Sequence, residues 1–128
     1  MHKAKPVVCA LFPLGRFRNE QTKKITYHLQ NGGCGARNQR QTVKEWLTEF
    51  DITESEQAFH IWSDFVSYTT GLVEFIKDFS EKTKQMIYTA FFSIVYLHYD
   101  TDKDFLPQLE QNTKSFKELM GKAKGGEL

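Results

Sequence analysis

Thr53–Phe79 reads TESEQAFHIWSDFVSYTTGLVEFIKDF, and its periodicity decides the fold. Ala58, Phe59, Trp62, Phe65, Val66, Leu72, Val73, Phe75, Ile76 and Phe79 recur at the 3.6-residue spacing that puts apolar side chains on one side of a helix. Thr53 followed three residues later by Glu56 has the form of a capping box at the start of such a helix. Thr69, Thr70 and Gly71 weaken the pattern midway, because β-branching and glycine both lower helix propensity, and a kink is expected there.

Outward from this stretch the same period continues. Upstream, Val43, Trp46, Leu47 and Phe50 predict a short helix over Gln41–Asp51. Downstream, Ser80 is placed to cap a helix with Met86, Ile87, Ala90, Phe91, Ile94 and Val95 inside. Asp100–Asp104 is a polar break, after which Phe105, Leu106, Leu109, Phe116, Leu119 and Met120 give a last amphipathic helix, stopped at Gly121. The N-terminal part admits two readings. Asn19–Gln30 fits a helix ended by Asn31-Gly32-Gly33; alternatively Ile25, Tyr27 and Leu29 alternate like a strand partnered by Val7–Phe12. The helix is preferred. The expected fold is therefore all-α: a compact bundle of four to five helices. Residues 1–42 form a basic, irregular N-terminal segment of the same domain, 43–120 the bundle, and 121–128 a mobile tail.

Charge divides along the same line. Residues 1–42 hold eight Lys/Arg against one acid, a net +7, and include all four arginines of the chain. Residues 43–128 hold nine Lys against fifteen Asp/Glu, a net −6. Such a split points to an anionic partner for the basic part, or to one part neutralising the other. Arg16, Arg18, Lys23, Lys24, Arg37 and Arg40, with the rings of Phe17 and Tyr27, are the expected contacts to nucleic acid or another polyanion. Guanidinium groups grip phosphate oxygens in pairs, and interleaved rings stack on bases.

A second candidate surface is aromatic. Phe91-Phe92 and Tyr96–Tyr99 put large rings around more than one side of one helix, so Phe92, Tyr96 and Tyr99 are expected at a protein interface or in a homo-oligomer. Metal and cofactor sites are not expected. His2, Cys9, His28 and Cys34 have no compact zinc spacing, and Asp100-Thr101-Asp102-Lys103-Asp104 lacks the glycine and glutamate a calcium loop requires. The loop Asn31–Arg37 has no Gly-Lys-Ser/Thr ending, and no serine–histidine–acid or cysteine–base arrangement stands out.

Two cysteines are too few for a disulfide scaffold, and whether Cys9 and Cys34 pair is open. No Asn-x-Ser/Thr sequon is present; the apolar run Val7–Phe12 is short for a signal peptide, and Met86–Leu97 is short for a membrane span. The sequence thus leads to a cytoplasmic, non-enzymatic accessory or regulatory protein whose basic segment contacts nucleic acid. The alternative is a pure protein-interaction module, such as an inhibitor, immunity factor or assembly subunit, that uses the aromatic bundle surface.

Overall fold

The computed structural model describes residues 14–29, Lys44, Leu47 and residues 52–125. The elements are strands β1 (Leu14–Arg18) and β2 (Ile25–Leu29), helix α1 (Thr53–Ile76), helix α2 (Glu81–Phe91) running into a π-helical turn (Phe92–Leu97), and helix α3 (Phe105–Lys124). The chain divides into two compact units, Met1–Gln57 and Ala58–Leu128.

The all-α bundle of four to five helices is overturned. Among the described residues there are three helices and a two-stranded antiparallel sheet, though the chain is still mostly helical. The correction lies at Asn19–Gln30. Ile25–Leu29 is a strand, as its alternation allowed, and among the described residues it pairs with Leu14–Arg18; Val7–Phe12 lies outside the described residues. The turn decides this. Asn19 Oδ1 accepts the backbone N–H groups of Gln21 (2.9 Å) and Thr22 (3.0 Å), and Asn19 N–H donates to the Lys24 carbonyl (2.9 Å). Lys23 takes a left-handed conformation (φ 60°) to close the loop. Of the helix expected over Gln41–Asp51, only Lys44 and Leu47 are described, and both are helical; the rest lies outside the described residues.

Helix α1 starts at Thr53, as expected, and passes Thr69, Thr70 and Gly71 without a break. Both threonine hydroxyls donate to the Val66 carbonyl there (2.8 and 3.1 Å). Ser80 caps α2, its Oγ accepting the Thr83 N–H at 3.2 Å. Phe65, Leu72 and Ile76 of α1 form the core with Ile87 of α2, Val95 of the π turn, and Phe116 and Met120 of α3. Phe65 is the hub, its ring stacked on Phe91 (5.9 Å) and edge-on to Phe116 (5.9 Å).

Two features of this core escape apolar pattern reading. Asn112 and Thr113 are buried in the same stripe of α3 as Leu109, Phe116 and Met120. Met86, expected inside, is 65% exposed. Helix α3 also continues through Gly121 to Lys124. There the Lys124 ammonium lies over the rings of Tyr68 (5.9 Å) and Phe75 (5.1 Å), a favourable cation–π arrangement.

Candidate functional site

The first candidate surface is the hairpin of the N-terminal unit. Strand alternation puts Leu14, Arg16 and Arg18 on one side with their cross-strand partners Leu29, Tyr27 and Ile25. Arg16 Nη1 donates to the Ser55 hydroxyl (2.9 Å) and carbonyl (3.2 Å) in the first turn of α1. Its guanidinium carbon lies 5.5 Å from the Tyr27 ring centre. The Tyr27 hydroxyl donates to Glu56 Oε1 at 2.5 Å. Burial pushes the Tyr27 phenol up to about 12, helped by that bond to the Glu56 carboxylate and opposed by the charge of Arg16. The Arg18 side chain is 3% exposed and reaches Glu20 Oε2 at 3.4 Å. Lys23 shares the same carboxylate oxygen at 3.4 Å.

The expected polyanion contacts are thus divided. Arg16, Arg18 and Tyr27 come together on the covered side of the hairpin, engaged with Ser55, Glu20 and Glu56. Phe17 is on the opposite side, 55% exposed and edge-on to His28 at 5.0 Å. Lys23 and Lys24 are exposed in the hairpin loop. Arg37 and Arg40 lie outside the described residues, as do Cys9, Cys34 and His2.

The second surface belongs to the helical unit. Phe92 and Tyr96 are half exposed, and their rings meet at 5.6 Å. Tyr96 also contacts Phe91 (5.6 Å) and stands edge-on to the partly buried Trp62 (5.7 Å). Phe91 and Tyr96 are five residues apart, a spacing that an α-helix turns away from one side. The wider π turn, with its i to i+5 hydrogen bonding and more residues per turn, brings them together. Tyr99 is drawn off instead. Its hydroxyl donates to the Val95 carbonyl (2.7 Å) and its ring lies on Phe105 (5.4 Å), so it closes the end of the π turn.

Sequence reading missed Tyr88, which is half exposed four residues before Phe92, and missed Trp62 as the backing of Tyr96. A signal was available: from Gln85 to Tyr99 the chain carries no Asp, Glu, Lys or Arg.

A shallow groove beside the π turn is lined by His98, Gln108, Gln111 and Asn112. Two of its amides hold backbone. Asn112 Nδ2 donates to the His98 carbonyl (2.6 Å), while Gln108 donates to the carbonyls of Asp100 (3.0 Å) and Asp104 (2.9 Å) and accepts the Asp100 N–H (2.7 Å). These contacts fix the connection into α3, whose Asp104 cap has no side-chain bond of its own. Among the described residues no cluster of three His, Cys, Asp or Glu is arranged to hold a metal, and no helix is long and apolar enough to cross a membrane.

Comparison with protein-family models, with curated proteins and with solved structures returned no match for this chain.

Proposed function

We propose that this chain is a non-enzymatic, cytoplasmic protein-interaction module whose contact surface is the aromatic side of α2 and the π turn. The observation that carries this reading is the half exposure of Phe92 and Tyr96 within a fifteen-residue stretch, Gln85–Tyr99, that has no formally charged side chain. A helix side facing water ordinarily carries Lys and Glu; aromatic residues with charge depleted are the composition of an interface centre. The polyanion reading has less support. Arg16 and Arg18, its leading contacts, are engaged within the hairpin unit, and among the described residues Phe17, Lys23 and Lys24 are its exposed part.

Photo-crosslinking tests the reading. The full chain, with benzoylphenylalanine in place of Tyr96, is expressed in its native cells and irradiated. A defined protein adduct that disappears when Phe92→Lys is added is expected. The reading is overturned by no adduct at position 96, together with co-purifying RNA or DNA that is released by salt and lost in the Lys23→Ala/Lys24→Ala variant.

A further inference from the structure

We propose that the partner of this surface is a second copy of the chain, docked antiparallel through Tyr88, Phe92 and Tyr96 about a two-fold axis at Phe92. The inference rests on the interaction reading above and gives it a partner.

The order of the rings is symmetric. Phe92 stands at the centre with a tyrosine four residues to either side. An isologous pair needs a self-complementary patch, and here a two-fold axis sets Phe92 against its own copy and each Tyr88 against a Tyr96. The backbone keeps the three in line. Four residues of α-helix overshoot a full turn by about 40°, so a purely α-helical stripe drifts around the cylinder. The π turn that begins at Phe92 needs more than four residues per turn, so Tyr96 swings back toward the line of Tyr88. Rows of residues four apart are also the ridges that interdigitate in the commonest class of helix pairing.

Charge fits the same geometry. With no formal charge between Gln85 and Tyr99, self-pairing opposes no like charges along the stripe. Beyond its ends the signs differ. Glu81, Lys82 and Lys84 begin α2, two bases against one acid, while Asp100, Asp102, Lys103 and Asp104 follow the π turn, three acids against one base. Antiparallel pairing brings each basic end to an acidic end. Within the chain Glu81 pairs with Lys84 (3.1 Å) and Asp100 with Lys103 (3.7 Å), so Lys82 carries the net charge of one end, and Asp102 and Asp104 that of the other.

The area sets the strength. Three half-exposed rings contribute roughly 300 Å² of apolar surface per copy. A standard stable interface takes about 800 Å² per partner. Well below that size the dimer is weak and reversible, with a Kd expected on the order of µM to mM.

Sedimentation equilibrium of the full chain, from about 1 µM to about 1 mM to span that range, is the test. The expected result is an average mass that rises from the 14.9 kDa monomer toward the dimer, with Phe92→Lys weakening association at least tenfold and leaving the helical circular dichroism unchanged. Cysteine pairs in a Cys9→Ser/Cys34→Ser background give an independent reading. Oxidation should cross-link Phe92→Cys to itself, and Tyr88→Cys only to Tyr96→Cys. A mass that stays monomeric throughout, or cross-linking of Tyr88→Cys to itself in preference to Tyr96→Cys, overturns the inference. A monomeric chain that still forms the adduct at position 96 removes the second copy as partner and leaves the interaction reading standing.

Discussion

Tyr27 and Asn112 show how single polar side chains fix this structure. Burial and the Glu56 bond hold the Tyr27 phenol well above its ordinary value of 10.0, at about 12. A raised folded-state value means that the stabilisation is whole below pH 10 and is lost as pH climbs from there toward 12. Ultraviolet titration of the phenols should therefore show a late-ionising tyrosine that Tyr27→Phe removes, and the parent should lose hairpin order over that alkaline range. The same variant at neutral pH should cost about 1 kcal/mol in chemical denaturation, the worth of one partly buried hydrogen bond. Asn112 is 3% exposed and donates to the His98 carbonyl. Asn112→Asp replaces that donor with a carboxylate facing the same carbonyl. A loss of at least 2–3 kcal/mol is expected, recovered in part at low pH, where the carboxyl can donate again. An Asn112→Asp protein as stable as the parent at neutral pH would remove this role.

At the scale of elements, α1 contains a correctable weakness. A Cβ built on Gly71 meets nothing within 4 Å, and the residue lies in the middle of a helix of 24 residues. Gly71→Ala should stabilise by about 0.5–1 kcal/mol, because alanine loses less backbone freedom on folding. A lowered denaturation midpoint would show that the glycine has another role. The three helices were legible in sequence because Phe65, Leu72 and Ile76, or Leu109, Phe116 and Met120, repeat at helical spacing over many turns. Ser80 was legible as a cap for the same local reason. The hairpin was not. Five alternating residues at Ile25–Leu29 fit either reading, and the partner strand carries Arg16 and Arg18 on its covered side, where charge reads as solvent-facing. Its turn closes on a left-handed lysine, not on the glycine that announces most such turns. Nor does composition reveal a π turn, so Tyr99 was grouped with Phe92 and Tyr96, from which the backbone separates it.

For the molecule as a whole, the helical unit depends on one aromatic centre. Phe65 is 1% exposed and packs against Trp62, Tyr68, Phe91 and Phe116, so all three helices converge on it. Phe65→Ala should cost about 3–5 kcal/mol, out of the about 5–15 kcal/mol that a domain of this size has in total. Far-UV circular dichroism under urea should show the midpoint collapse, with Phe65→Leu in between. A small shift in the alanine variant would mean that the neighbouring rings close the space. The charge asymmetry, +7 before residue 43 and −6 after it, points to an anionic partner or to one part neutralising the other, and the first contacts it supplies are internal to the hairpin unit. Net charge reports what a segment can attract; only geometry reports what it has already met.

The π turn at Phe92–Leu97 also bears on chain length. A turn of this kind is what a helix forms when it accommodates one surplus residue while both of its ends stay where packing holds them. The segment should therefore tolerate a shortening that would ruin an ordinary helix. Removing the exposed Ser93 lets the turn relax to α-helical winding, with Ile87 before it and the Asn112–His98 clasp after it still in place. Such a deletion keeps the rings on one side, at i, i+4 and i+7, but ends their even spacing: Tyr96 then lies three residues from Phe92 while Tyr88 stays four away, and a two-fold axis at Phe92 no longer sets one tyrosine against the other. One residue of length would then separate a chain that folds from a chain that also recognises.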